Sequence, residues 1–225
     1  MRRHPILGTT MLALAATVAA QTPETAATRL ERAATGPAET QASEAERWTL
    51  SSSVYTFFVP GDRNYVLPIV AADRDRLHLE ARYNYEDLDT ASVWVGWNLS
   101  FGEGLTLDLT PMVGGVFGAT SGIAPGYEAT VAWWKLELYT EGEYVYDTKD
   151  ASDSYFYNWS ELTVAPFDWL RVGGVVQRTK AYQTDFDIQR GFLLGLTLDR
   201  IDVAAYVFNV DESHPTVALS LAFEF

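Results

Sequence analysis

His78, Glu80 and Arg82 stand at alternate positions of one short segment, so an extended chain places all three on one face. An imidazole two residues from a carboxylate is the pairing from which a general acid–base catalyst is built. Such a pair needs a nucleophile, and Ser92, Ser100 and Ser160 are the hydroxyls to consider. Further acids recur along the chain at Asp108, Glu128, Glu137, Glu141, Glu143, Glu161 and Asp187, with Arg76 as a second base beside the first group. The chain contains no cysteine, which removes disulfides, thiolate metal sites and a lipid anchor on an N-terminal cysteine. His214 stands among loop-type residues apart from other ligating side chains, so no metal site and no cofactor are expected. What these residues can do depends on which way they face, and that is set by the elements carrying them.

From Trp48 onward the elements read as strands. Thr216 to Phe225 alternates without a break: Val217, Leu219, Leu221, Phe223 and Phe225 lie on one face, and Thr216, Ala218, Ser220, Ala222 and Glu224 on the other. In the segment around residues 76–86, Leu77, Leu79, Ala81, Tyr83 and Tyr85 oppose Arg76, His78, Glu80, Arg82, Asn84 and Glu86. Successive strand side chains point to opposite faces, so each such segment is a ribbon with one apolar wall. The pattern predicts twelve strands, approximately 49–59, 64–72, 75–86, 90–101, 104–118, 124–134, 136–147, 154–165, 168–181, 185–198, 200–209 and 215–225. Ten is the alternative, because the second strand contains Pro68 and neither face of the eighth is purely apolar. Tight turns such as Trp134-Lys135 and Asp199-Arg200 alternate with looser polar loops such as Thr148 to Ser154.

Soluble sandwich strands run about 5–6 residues, whereas strands that cross a bilayer need about 9–11. Most of the segments here are of the longer kind. Aromatic residues gather at their ends, with Trp48, Trp97, Phe101, Trp133, Trp134, Trp169, Phe223 and Phe225 toward the tight turns. Tyr83, Tyr85, Tyr144, Tyr146, Tyr155, Tyr157 and Phe186 lie toward the loops. Two aromatic girdles flanking an apolar band, even strand number and short turns on one side describe an all-β, transmembrane, antiparallel up-and-down barrel. The mean hydropathy of −0.06 fits, because lipid-facing and interior residues average out.

The N-terminus names the compartment. Met1-Arg2-Arg3 precedes an apolar run from Met11 to Val18 and the small residues Ala19-Ala20. This is the anatomy of a secretory signal peptide, and the run is shorter than the about 20 residues a spanning helix requires. Residues 1–20 are expected to be removed, residues 21–47 to form a periplasmic linker rich in Ala, Thr and Glu, disordered or partly helical, and residues 48–225 to form the barrel. Loss of the two signal arginines leaves 14 basic against 30 acidic residues, a formal charge of −16. Nucleic-acid binding is excluded on that balance, since affinity for phosphates comes from Lys and Arg contacts.

The alternating last ten residues and Phe225 resemble the C-terminal signature of Gram-negative outer-membrane barrel proteins. With the signal peptide and the repeated hairpins, the resemblance covers residues 1–20 and 48–225 and points to no particular subfamily. It implies location in the cell outer membrane, contact with membrane lipid and lipopolysaccharide, and Phe223 and Phe225 as the signal read by the barrel-assembly machinery. A charge facing lipid at mid-depth costs about 2–4 kcal/mol, so the strand acids and bases must face the lumen or rims. Arg76, His78, Glu80, Arg82, Asp108, Glu128, Glu137, Glu141, Glu143, Glu161 and Asp187 are thus expected to line the lumen. The expected function is a narrow passive pore for small solutes or cations. The alternative is a closed, envelope-stabilising barrel, with a lipid-modifying enzyme a distant third, because His78 points inward, away from lipid. Simple alternation sends Arg178 and Arg190 outward unless a bulge re-aims one of them.

Overall fold

The computed structural model describes residues 48–181 and 187–225. The expected signal peptide, the linker 21–47 and the girdle position Phe186 lie outside the described residues. Twelve antiparallel strands follow in order: β1 (Thr49–Phe58), β2 (Tyr65–Arg74), β3 (Leu77–Tyr83), β4 (Thr90–Trp97 and Leu99–Phe101), β5 (Leu105–Gly118), β6 (Gly122–Trp133), β7 (Leu136–Asp147), β8 (Tyr155–Phe167), β9 (Leu170–Ala181), β10 (Asp187–Leu198), β11 (Ile201–Phe208) and β12 (Thr216–Glu224). Each pairs with its chain neighbours, and β1 pairs with β12 from Ser51 opposite Glu224 to Phe58 opposite Val217. The sheet is therefore closed, and no strand edge is left to be satisfied.

Two local irregularities have physical causes. The break in β4 falls where the partner strand carries Pro111, which has no N–H to give to the ladder. Pairing resumes in the same register, with Gly96 opposite Met112 and Leu99 opposite Leu109, and the Asn98 N–H donates to the Arg76 carbonyl at 2.7 Å. Pro68 is tolerated in β2 because it pairs with Val54 of β1 but lies beyond the last β2–β3 pair, Ile69 with Arg82. Its missing N–H breaks no bond to β3. The count of twelve stands despite Pro68.

Alternation sets the two faces. Large apolar side chains such as Val70, Val93, Val95, Val113, Leu162, Leu194 and Leu219 are exposed on the outside, an arrangement that soluble monomers avoid. The inside is asymmetric along the barrel axis. Toward the turns it carries small or polar residues, among them Ser51, Ser53, Ala71, Thr106, Thr130 and Ala132. Toward the loops it carries Tyr55, Phe57, Tyr65, Tyr85, Tyr157, Trp159, Tyr206 and Phe208, all buried. Tyr85, Tyr155 and Tyr157 thus leave the expected loop-side girdle. Asn84 has φ +58°, which breaks the alternation, so that Tyr85 and Glu86 both turn inward. In β8, Tyr155 and Tyr157 share a face with the interior Trp159. Tyr83 and Tyr146 remain exposed, as do Trp97, Trp133, Trp134 and Trp169 at the turn side.

A polar inset lies on the outer wall. The Asn158 amide donates to the Glu141 carbonyl at 2.6 Å and to Thr140 Oγ1 at 3.0 Å, and Tyr127 covers it from β6. Those bonds offset the cost of polar groups facing outward. Beside it, Arg178 pairs with Ile188 and Arg190 with Val176 in an unshifted register, so no bulge re-aims either and both guanidiniums lie exposed on the outside.

Candidate functional site: the interior cluster around Arg82

Arg82 reaches from β3 across the lumen. Its Nε is paired with Glu80, its Nη1 lies 3.3 Å from Glu143 on β7, and its Nη2 lies 3.5 Å from Glu128 on β6. The guanidinium lies over two aromatic faces, 4.1 Å from the Tyr85 ring centre and 4.7 Å from that of Trp94. The planar, delocalised cation suits such stacking where an ammonium would not. Trp94 is held by its indole N–H, which donates to Ser92 Oγ at 2.9 Å. It lies flat because Gly114 faces it: a Cβ there would come within 2.5 Å of the indole.

The acids exceed the bases. Glu80, Glu128, Glu141 and Glu143 surround this one guanidinium, and Glu86 lies against Glu143. Both Glu86 oxygens, and one oxygen each of Glu128, Glu141 and Glu143, have no hydrogen-bond partner. Glu86 belongs to the loop between β3 and β4; burial lifts its carboxyl above the usual range against the downward pull of Arg82. In the exposed β7–β8 loop the opposite holds, and the Ser152 hydroxyl and N–H keep the Asp150 carboxyl below its ordinary value.

A second network lies around the wall. Arg171 is paired with Asp202 through both terminal nitrogens, one contact being 2.7 Å, and Thr197 donates to the same carboxylate at 2.9 Å. Glu161 accepts from the Trp159 indole at 2.8 Å, and Tyr139 donates to Glu141 at 2.9 Å. Below these networks, on the turn side, a cavity of about 790 Å³ is bordered by Asp73, Asp75, His78, Glu80, Asp108, Glu128, Glu137 and Glu224. It is an acidic vestibule.

Of the residues expected along the lumen, His78, Glu80, Arg82, Glu141, Glu143 and Glu161 are buried inside, and Asp108, Glu128 and Glu137 are half-buried in the vestibule wall. Two are corrected. Arg76 lies exposed in the turn Asp75–Arg76, where Asp75 has φ +54° and the chain reverses before the wall begins. Asp187 opens β10 opposite Thr179 and lies exposed at the loop-side rim rather than along the wall. Ser92 is engaged with Trp94, and Ser160 Oγ lies 3.0 Å from Thr140 Oγ1 on the outer face. Among the described residues, His78 has no hydrogen bond to any of the three candidate serines.

The sequence reading missed the aromatic layer that packs inside the loop side. Tyr85, in the loop after β3, meets Tyr157 of β8 across the lumen with ring centres 5.8 Å apart, and Trp159 packs on Tyr206 at 5.5 Å and Phe208 at 5.4 Å. The signal was present: the parity that turns Asp202 inward also turns Tyr206 and Phe208 inward.

Neither a protein-family model nor a curated protein matches the sequence. The fold does have counterparts. The KdgM porin superposes with a TM-score of 0.60 at 10% identity, over 78% of this chain and 99% of that one. The KdgM porin in complex with disordered oligogalacturonate gives 0.59 at 9% identity over the same shares. The outer membrane protein Omp33 of Acinetobacter baumannii gives 0.47 at 12% identity, over 79% of this chain and 98% of that one. At these identities the two KdgM likenesses establish the architecture, a closed antiparallel β-barrel, and nothing finer.

Proposed function

We propose that the chain is an outer-membrane barrel of porin type, closed at rest, whose acidic turn-side vestibule selects small cations for a narrow, low-conductance path. The observation that carries this reading is the interior charge imbalance facing a cavity of about 790 Å³. A concave surface of one charge sign raises the local concentration of counter-ions. The outward apolar wall and the fold support placement in a membrane. The oligogalacturonate in one KdgM structure is a poor guide to cargo here, because a polyanion would meet an acidic wall.

Planar-bilayer recording tests the reading. Wild type is expected to give rare, small, cation-preferring openings, and glutamine at Glu128 and Glu137 is expected to reduce that preference, most at low ionic strength where screening is weak. A large, steady or anion-preferring conductance would overturn it. The contacts that bridge the lumen favour a second reading, a permanently closed barrel that stabilises the envelope. Silence from wild type and from all lumen variants would select that one.

Orientation follows from the hairpins, with turns in the periplasm and loops outside. Ser152→Cys and Ser213→Cys should label on intact cells with an impermeant thiol reagent, whereas Glu103→Cys and Lys135→Cys should not. Labelling at Glu103→Cys would invert the barrel.

Arg178 and Arg190 are diagonal neighbours on the outer wall, a spacing of about 7–8 Å between backbones. In this reading they receive phosphates of outer-leaflet lipopolysaccharide. Added lipopolysaccharide should raise the thermal midpoint of the detergent-folded barrel, and replacing both arginines with alanine should abolish most of that rise. An undiminished rise would remove the assignment.

A further inference from the structure

His78, Glu80 and Glu128 carry an arrangement that the pore reading does not use. One ligand atom from each side chain lies within 4.8 Å of the other two. The His78 side chain is 7% exposed, and its Nε2 has no hydrogen-bond partner. Its Nδ1 lies 2.9 Å from Asp73 Oδ1, and the Asn98 amide donates to the same oxygen at 2.6 Å. A carboxylate that holds the far nitrogen of an imidazole fixes the tautomer in which the near nitrogen presents a lone pair. Here that lone pair faces two glutamates.

The backbone makes room for this meeting. His78 pairs with Gly96, Gly96 with Met112, and Met112 with Gly126, while Glu128 stands one inward step away on β6. A Cβ at Gly96 would stand 3.3 Å from the His78 ring, so the absent side chain lets the imidazole lie along the wall and lets Glu128 approach over it. The local charge also favours a cation, since among the described residues one guanidinium, that of Arg82, faces the five carboxyls of Glu80, Glu86, Glu128, Glu141 and Glu143.

We propose that His78 Nε2, Glu80 and Glu128 form a divalent-cation site at the head of the vestibule, suited to zinc-class ions. One imidazole and two carboxylates are the ligand set of such ions, whereas calcium and magnesium prefer all-oxygen shells. Bond lengths of about 2.0–2.2 Å require the two carboxylates to turn slightly inward, and the fourth position opens on the vestibule, where water completes the shell. Glu80 and Glu128 also contact Arg82, so an ion bound there draws both carboxylates away from the guanidinium that bridges the lumen. The site stands on the interior geometry and does not depend on conduction.

The test is calorimetric titration of Zn²⁺ into the full mature chain folded in detergent. Saturable binding of one ion per barrel is expected, at least tenfold tighter than that of Ca²⁺. His78→Ala and Glu128→Gln should each weaken it at least tenfold, while His214→Ala, in an exposed loop, should leave it unchanged. Asp73→Asn supplies a variant that leaves all three ligands in place and should weaken binding about 10-fold or more through the imidazole's orientation. Heat-modifiable gel mobility identifies the variants that still form a barrel, and only those are scored. Absence of one-to-one binding, or affinity unchanged in folded His78→Ala and Asp73→Asn barrels, would overturn the site. Binding with a silent bilayer would keep the site and discard the channel; conduction without binding would do the reverse.

Discussion

Replacing Arg82 with alanine is expected to lower the unfolding free energy of the barrel by about 3–5 kcal/mol, the usual cost of removing one partner from a buried ion pair. The loss comes less from the missing attraction than from what remains. Glu80, Glu128 and Glu143 would face one another in a desolvated interior with no guanidinium between them. Reversible urea unfolding in detergent measures the effect. Lysine at the same position should recover only part, because an ammonium cannot serve three carboxylates while stacking on Tyr85 and Trp94. Adding Glu80→Gln, Glu128→Gln and Glu143→Gln to the alanine variant should restore stability, since the three stranded charges are then gone. The same alanine variant tests the gate, because Arg82 bridges β3, β6 and β7, and its removal should raise open probability in bilayers. A variant as stable as wild type would mean that the interior carboxylates are already neutralised by protons or ions, and that the bridge contributes nothing.

Trp159→Ala is expected to be of similar severity, about 3–5 kcal/mol for deleting a fully buried indole. Trp159 is 0% exposed and fills the space between β8 and the Tyr206 and Phe208 rings of β11. Its removal also deprives Glu161 of the indole donor, adding the cost of an unsatisfied buried acceptor. Phenylalanine should separate the two contributions, keeping most of the volume and losing the hydrogen bond. Because the cavity opens within the layer that packs inside the loop side, the alanine variant should conduct more than wild type while unfolding at lower urea. Lower stability with unchanged silence in bilayers would show that closure does not rest on this layer, and would favour the permanently closed barrel.

The strand plan was legible because it depends on one local property, side-chain alternation, repeated twelve times with a turn signal between each pair. Pairs such as Asp199-Arg200 and Trp134-Lys135 stand at the reversals, and Asp199 and Trp134 adopt the positive φ that tight hairpins require. The interior acids were legible for the same reason: a carboxylate facing lipid is too costly, so parity and charge together choose the side. Parity failed where the backbone left the extended region. Nothing in the order Tyr83-Asn84-Tyr85-Glu86 announces that Asn84 turns left-handed and brings Tyr85 and Glu86 inward together.

The sequence by itself determined the barrel, its strand number and most of the residues that face its inside. Alternation and lipid exclusion act on each strand separately, without reference to the others. Only the tertiary structure decided that, among the described residues, packed aromatics fill the inside toward the loops and a cavity lies toward the turns. Closure depends on whether side chains from opposite walls touch, as Tyr85 touches Tyr157 and Arg82 reaches Glu143. Those pairs lie 72 and 61 residues apart in the chain, and no local pattern records the distance across a barrel until the sheet has closed.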